Sequence, residues 1–235
     1  MIYIESNRTD PTWNLALESW LFDRQTEETI LYLWQNAPCV IIGRNQSAAR
    51  EADLELARQL AVPVIRRQTG GGAVWHDLGN LNFTYITNED DDPDTPYAAF
   101  LQPLMEVLAG QGIPVAFNGR NDLCVADRKV SGSAARLRGG RLLHHGTLLV
   151  CSNLTRMTQL LTPDADKLQR NGVRSVRSRV ANLSEFAPEL TVEKLKRLLC
   201  GQFHPDRTLR LTEADLEEIA ERREKFLDPG WNFEK

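Results

Sequence analysis

Apolar positions along this chain come in short bursts broken by polar turns, and a helical rhythm takes over in the last third. Ile2 to Glu5 predicts a strand. Asp10-Pro11 opens a helix, with Asp10 as cap and Pro11 in the first turn, and Trp13, Leu17, Trp20 and Leu21 share one face of it. Leu31 to Trp34 and Cys39 to Ile42 read as a hairpin around the turn Gln35-Asn36-Ala37-Pro38. Gly43-Arg44-Asn45-Gln46 breaks the second strand, Ala48 to Leu60 is helical, and Val62 to Arg66 returns as a strand. Leu81 to Ile86 is the next strand, Glu89 to Asp94 a solvated acidic loop, and Tyr97 to Ala109 a helix. Val115 to Phe117, Leu123 to Ala126, Lys129 to Ala134 and Thr147 to Val150 are short strands separated by turns. This spacing predicts an α/β (α+β) chain with a mixed or antiparallel sheet rather than regular βαβ units. From about Asn153 the pattern is mostly helical, with a long basic connection from Pro163 to Val180. Thr212 and Asp215 form a capping box for a helix running to about Phe226.

The chain has 235 residues, 42% of them hydrophobic and 26% charged, enough to build a core in one large domain or two small ones. The net charge is -4, so bulk electrostatics give no reason to expect nucleic acid, and any basic site is local. The cysteines Cys39, Cys124, Cys151 and Cys200 form no CxxC pair, which predicts free thiols in a reducing compartment. The N-terminus has no signal-peptide pattern, and no apolar stretch reaches the roughly 18 residues of a membrane span. The expectation is a soluble cytoplasmic protein.

One stretch breaks every rule for building a core: Arg66-Arg67-Gln68-Thr69-Gly70-Gly71-Gly72-Ala73-Val74-Trp75-His76-Asp77. Glycine loses more backbone entropy on folding than any other residue, so a run of it serves where backbone passes close to something else. After an arginine pair, that something is an anionic ligand, and the alternative is a tight structural turn. Neither GxxxxGK[ST] nor GxGxxG is present. One arginine of the pair points into the site and the other packs elsewhere, because strand residues alternate faces. His76 has three readings: a general base, a donor to the ligand, or a histidine that fastens the loop. No second histidine or cysteine stands at zinc-site spacing from it. Asn80 and Asn82 suit hydrogen bonds to an amide or sugar, or equally a turn. Asp122, after Asn118-Gly119-Arg120-Asn121, is a candidate Mg²⁺ ligand or a turn cap. Lys129 opens the small-residue strand Ser131-Gly132-Ser133-Ala134, which leaves room for a ligand beside one positive charge. His144-His145-Gly146-Thr147 closes the site from a later strand.

Taken in order, these segments resemble the lipoate–protein ligase A family. The likeness adds Trp13-Asn14-Leu15-Ala16, Ser175-Val176-Arg177-Ser178-Arg179-Val180, Arg223-Glu224-Lys225-Phe226 and Trp231-Asn232-Phe233, and covers nearly the whole chain. The resemblance implies a biotin/lipoate protein ligase-like catalytic domain over residues 1–235, with mixed, mainly antiparallel sheets and flanking helices. It implies activation of lipoate by ATP to lipoyl-AMP with Mg²⁺, then transfer to a lysine of a carrier. By resemblance, Arg67, Thr69, Gly70, Gly71, Gly72 and Ala73 hold the adenylate, with His76 and Asn80 lining the same site. Asp122 binds Mg²⁺, and Lys129 contacts the activated acyl group as the catalytic residue. Ser131, Gly132, Ser133 and Ala134 complete the wall with His145, Gly146 and Thr147.

Longer family members continue into a small C-terminal domain after the Trp-Asn-Phe stretch. Its absence here leaves open a separate accessory subunit, a dispensable domain or a shortened chain. The expected carrier is a lipoyl domain, such as the glycine-cleavage H protein or a 2-oxoacid dehydrogenase subunit. Arg174, Arg177 and Arg179 are candidates for an acidic carrier surface or the nucleotide. Two other readings stand beside the ligase. One is an octanoyl or lipoyl transferase using Cys124 or Cys151 as nucleophile. The other is a non-enzymatic subunit that only binds acyl ligand or carrier.

Overall fold

The computed structural model describes residues 1–24, 26–88, 97–118, 121–162 and 180–234. The acidic loop at 89–94 and the basic connection at 163–179, with Arg174, Arg177 and Arg179, lie outside the described residues. In chain order the strands are β1 (Ile2–Glu5), β2 (Ile30–Trp34), β3 (Cys39–Ile42), β4 (Val64–Arg66), β5 (Val74–His76), β6 (Asn80–Asn88), β7 (Val115–Phe117), β8 (Asp122–Val125), β9 (Arg128–Arg138), β10 (Arg141–Leu149) and β11 (Arg207–Thr208). The helices are α1 (Pro11–Asp23), α2 (Ala48–Glu51), α3 (Leu54–Gln59), α4 (Tyr97–Gly110), α5 (Leu154–Leu160), α6 (Val192–Phe203), α7 (Glu213–Leu227) and α8 (Pro229–Phe233), with a 3-10 turn at Leu183–Glu185.

An eight-stranded sheet runs β11-β1-β2-β6-β10-β9-β8-β7, and a three-stranded sheet runs β4-β3-β5. The large sheet is antiparallel except where β1 meets β11 and β2, and in the small one β3 is parallel to β4. This is the mixed, mainly antiparallel architecture the strand spacing predicts. One face of the large sheet buries Leu31, Leu33 and Phe83 with Leu101 of α4 and Leu195 of α6. Its other face buries Ile30, Tyr32 and Trp34 with Leu17 of α1 and Phe226 of α7. The small sheet packs Val40, Val64 and Trp75 against Ala48 and Leu160. No helix among the described residues is long and apolar enough to cross a membrane.

Several expectations change. The two strands of the expected hairpin exist, but they do not pair: β2 lies between β1 and β6, and β3 is the centre of the small sheet. Both are buried along their whole length, so each takes a partner on either edge, which an isolated hairpin does not supply. The helix expected over Ala48 to Leu60 is split. Asp53 accepts from Leu56 N at 2.9 Å and caps a second helix, while Ala52 bridges to Leu161. Helix α1 is buried nearly all round, not on one face, because it sits between the large sheet and α7. Strands β9 and β10 are longer than their apolar cores imply. They meet in a hairpin at Gly139 and Gly140, whose φ values of 58° and 70° suit a two-residue turn. Their charged ends broke the apolar rhythm, so sequence reading stopped short.

Candidate functional site

The arginine pair splits by face, as strand alternation requires. Arg66, at 0% exposure, turns toward the C-terminal segment and loses some basicity to burial. Its guanidinium donates to the carbonyls of Trp231 (2.8 Å) and Asn232 (2.9 Å), and to those of Gly43, Arg44 and Gln46. Trp231 Nε1 donates back to Arg66 O at 2.8 Å. Arg66 is thus a strut between α8 and the loop after β3.

Arg67 turns into an open cavity between the two sheets. Its guanidinium donates to Gly70 O (2.5 Å), Gly72 O (2.8 Å), Ile41 O (3.3 Å) and Thr69 Oγ1 (2.9 Å). The glycine run therefore wraps its carbonyls around its own arginine. Gly71 has φ 89°, which L side chains rarely adopt. Gly43 is needed too, since a Cβ there would collide with Gly71 O. Gly70 and Gly72 face open space. No carboxylate among the described residues lies within ion-pair distance of Arg67, and burial pulls its pKa down to about 10. It remains a cation at neutral pH, stored in a cavity and short of an anion.

Buried polar chains hold this wall. Thr69 Oγ1 meets His145 Nε2 at 2.7 Å, and His145 Nδ1 meets Glu18 Oε1 at 2.8 Å. Thr84 Oγ1 donates to the same Glu18 oxygen at 2.6 Å and accepts from Trp34 Nε1 at 3.0 Å. Separately, Asn36 Nδ2 lies 3.1 Å from His76 Nδ1. Burial, then the charge of Arg67, pushes the His76 pKa down to about 3, so its imidazole is neutral. With its Nδ1 lone pair taken by Asn36, His76 suits the donor and loop-fastening readings and not that of a general base.

The opposite wall is made by register. Trp34, Asn82, Thr147, Gly132 and Asp122 are aligned neighbours on β2, β6, β10, β9 and β8. Lys129 Nζ lies 2.9 Å from Asp122 Oδ1. The lysine crosses the bare Cα of Gly132, where a Cβ would sit 2.6 Å from Nζ.

Of the residues expected here, Arg67, Gly71, Gly72, Ala73, His76, Lys129, Gly132, Ser133, Ala134, His145, Gly146 and Thr147 line the cavity. Five others are not among its lining residues. Thr69 and Gly70 hold Arg67, Asp122 holds Lys129, and Ser131 is buried in β9. Asn80 does not line the cavity; it donates to Asn82 Oδ1 at 2.9 Å, and Asn82 is the lining residue. Leu15, Trp34, Ile41 and Val74 supply the apolar surface, with Asn121 at the edge. Sequence reading missed these four because they look like ordinary core. Asp122 is a lone carboxylate, and among the described residues no cluster of three metal-binding side chains forms. One carboxylate is a fitting donor set for Mg²⁺ when phosphates supply further oxygens. No cysteine lines the cavity, and burial raises the pKa of all four thiols, against a cysteine nucleophile.

Comparison with known proteins agrees with this geometry. The family model of the lipoyl protein ligase A/B catalytic domain matches residues 10–204. Lipoate-protein ligase LplJ of Bacillus subtilis (strain 168) is 35% identical over 243 aligned residues, 99% of this chain and 73% of that protein. A bi-partite lipoate protein ligase of Thermoplasma acidophilum, described with its E2 lipoyl domain, superposes with a TM-score of 0.81 at 26% identity, covering 98% of this chain and 95% of that one. A lipoate-protein ligase A bound with ATP gives 0.79 at 25% identity, covering 98% and 96%. The chain therefore belongs to the lipoyl protein ligase A/B catalytic-domain family, and its activity is the ATP-dependent activation of lipoate and transfer of the lipoyl group to a lysine.

Proposed function

We propose that the cavity between the two sheets holds lipoyl-AMP as the intermediate, with the adenylate phosphate toward the glycine loop and the acyl chain along the apolar surface. The observation that carries this is the pairing of two cations on opposite walls, Arg67 and Lys129, around a cavity floored by Leu15, Trp34, Ile41 and Val74. A carboxylate is a poor acyl donor. Its oxygen attacks the α-phosphorus, the bond to the β-phosphate breaks, and pyrophosphate leaves with the electron pair. A neutral carrier lysine then attacks the acyl carbon, AMP leaves with the C–O electron pair, and the surplus proton on nitrogen passes to solvent. Fixed positive charge offsets the negative charge that develops in both steps.

Arg67 meets the phosphate, with Gly70, Gly71, Gly72 and Ala73 shaping the loop around it and Thr69 fixing its direction. Asp122 would hold Mg²⁺, which when bound would neutralise phosphate charge. Lys129 exchanges its Asp122 partner for the acyl group, a move that leaves Asp122 available to the cation. His76 donates from the buried wall, and Ser133, Ala134, His145, Gly146 and Thr147 complete it.

The acceptor is a lipoyl-domain carrier, such as a 2-oxoacid dehydrogenase subunit or the glycine-cleavage H protein. The Thermoplasma relative, described with its E2 lipoyl domain, supports that class. The test is lipoate-dependent ATP–pyrophosphate exchange, run beside transfer to a purified lipoyl domain from lipoate plus ATP and from preformed lipoyl-AMP. Exchange that requires lipoate, and transfer from either donor, is the expected result. Transfer from an octanoyl carrier without ATP, lost in a Cys151→Ala variant, would overturn it.

A further inference from the structure

We propose that Asn82 is a catalytic residue of this site, donating from Nδ2 to the acyl oxygen of lipoate in both half-reactions. The inference rests on the ligase reading above and extends it to a residue not assigned there.

Asn82 lines the cavity at 1% exposure. Its Oδ1 is held by Asn80 Nδ2 at 2.9 Å, while its own Nδ2 is buried without a hydrogen-bond partner among the described residues. A buried amide donor left unpaired is costly, so such a group in a ligand cavity marks a bond that the ligand completes. With Oδ1 engaged by Asn80, the N–H edge is the one left for a ligand; Asn80 Oδ1 has no partner among the described residues, so the direction rests on the charge of the ligand. An anion in the cavity favours that orientation over the flipped amide, whose Oδ1 would repel it.

Register gives the distance. Asn82 pairs with Thr147, and Thr147 pairs with Gly132, over which Lys129 lies. Two strand spacings separate Asn82 from Gly132, roughly 9–10 Å. A carboxyl group above Thr147 has the Lys129 ammonium on one side and the Asn82 amide on the other. The two donors then act differently. Lys129 supplies charge but is shared with Asp122 in the ligand-free protein. Asn82 supplies a neutral N–H in a fixed direction, needing no partner exchange as negative charge grows on the acyl oxygen during amine attack.

The experiment measures single-turnover transfer from preformed lipoyl-AMP to a lipoyl domain, with lipoate-dependent exchange alongside, for wild type, Asn82→Ala and Asn82→Asp. Asn82→Asp keeps the size of the side chain and an oxygen for Asn80 but replaces the donor with a carboxylate oxygen and its charge, so its loss is read beside that of Asn82→Ala, which adds no charge. The expected loss is about 10²-fold in the transfer rate for both variants, the scale of deleting one oxyanion donor, with KM for ATP moving less than about threefold. A substrate change isolates the contact. Wild type is titrated with an inert acyl-sulfamate analogue of lipoyl-AMP and with the alkyl analogue that has CH₂ in place of the carbonyl. Wild type is expected to bind the carbonyl compound about tenfold more tightly, and Asn82→Ala to lose part of that preference, the remainder being the Lys129 contact. Wild type that does not distinguish the two analogues overturns the proposal, whatever the variants do. Folded variants that transfer at the normal rate overturn it as well. A wild type with neither exchange nor transfer instead overturns the ligase reading.

Discussion

The two walls of the cavity hold their cations by opposite means. On the glycine-loop wall, Arg67 is gripped by carbonyls from Ile41, Gly70 and Gly72, mostly of its own loop. On the large-sheet wall, Lys129 rests against one carboxylate, Asp122, and owes its place to strand alignment. The first wall is a rigid clamp assembled locally. The second is a row of side chains from five strands with one movable member. Static stabilisation of phosphate suits the clamp, and a group that changes partner between two chemical steps suits the row.

The sharpest way to break this contrast is Lys129→Ala. Transfer is expected to fall by about 10³-fold with little change in thermal stability, because a half-buried pair contributes little to folding. Measuring transfer from preformed lipoyl-AMP and the melting temperature on the same sample checks both halves. Arg67→Lys comes next. A lysine cannot reproduce the forked set of carbonyl contacts, so exchange should drop about 10²-fold and stability should fall too. Retention of both would show that the clamp is not what it looks like.

Gly43→Ala tests the clamp without touching a charge. Its Cβ runs into Gly71 O, so a loss of about 1–3 kcal/mol is expected in denaturant melts, while Gly72→Ala, facing open space, should stay within about 0.5 kcal/mol. Thr69→Val severs Arg67 from His145 and should cost about 1–3 kcal/mol in the same assay.

The remaining effect is in pH. His76 on the loop wall and His144 on the large sheet both have pKa values pushed down to about 3 by burial. Below the ordinary histidine value of about 6.5 the unfolded chain takes up protons that the folded one refuses. Stability is therefore complete above that pH and is lost as pH falls from about 6.5 toward 3. The slope is at most about 1.4 kcal/mol per pH unit for each histidine. His76→Gln should flatten the acid limb of a stability–pH curve by one such share.

Much of the loop wall is legible in sequence, because its parts are near each other in the chain. An arginine pair, three glycines and a histidine within a few residues announce a close-packed, cationic turn. The large-sheet wall reads poorly for the same reason inverted. Trp34, Asn82 and Thr147 become neighbours only through pairing of β2, β6 and β10, and a shift of one residue would turn each to the opposite face. Asn80 and Asn82, two apart on β6, share a face, and only their position along the pairing puts Asn82 beside Thr147 in the cavity and Asn80 opposite Leu149 outside it. Leu15 and Ile41 read as core because an acyl groove and a core ask for the same residue types.

By itself the sequence determined most of the order of strands and helices, the caps at Asp10 and Thr212, and the segments that carry charge to the site, from local rules of periodicity, capping and backbone freedom. Only the tertiary structure decided which strands pair, which arginine faces the cavity and which asparagine lines it. Those outcomes depend on hydrogen-bond register and burial between residues far apart in the chain, and no local rule contains them.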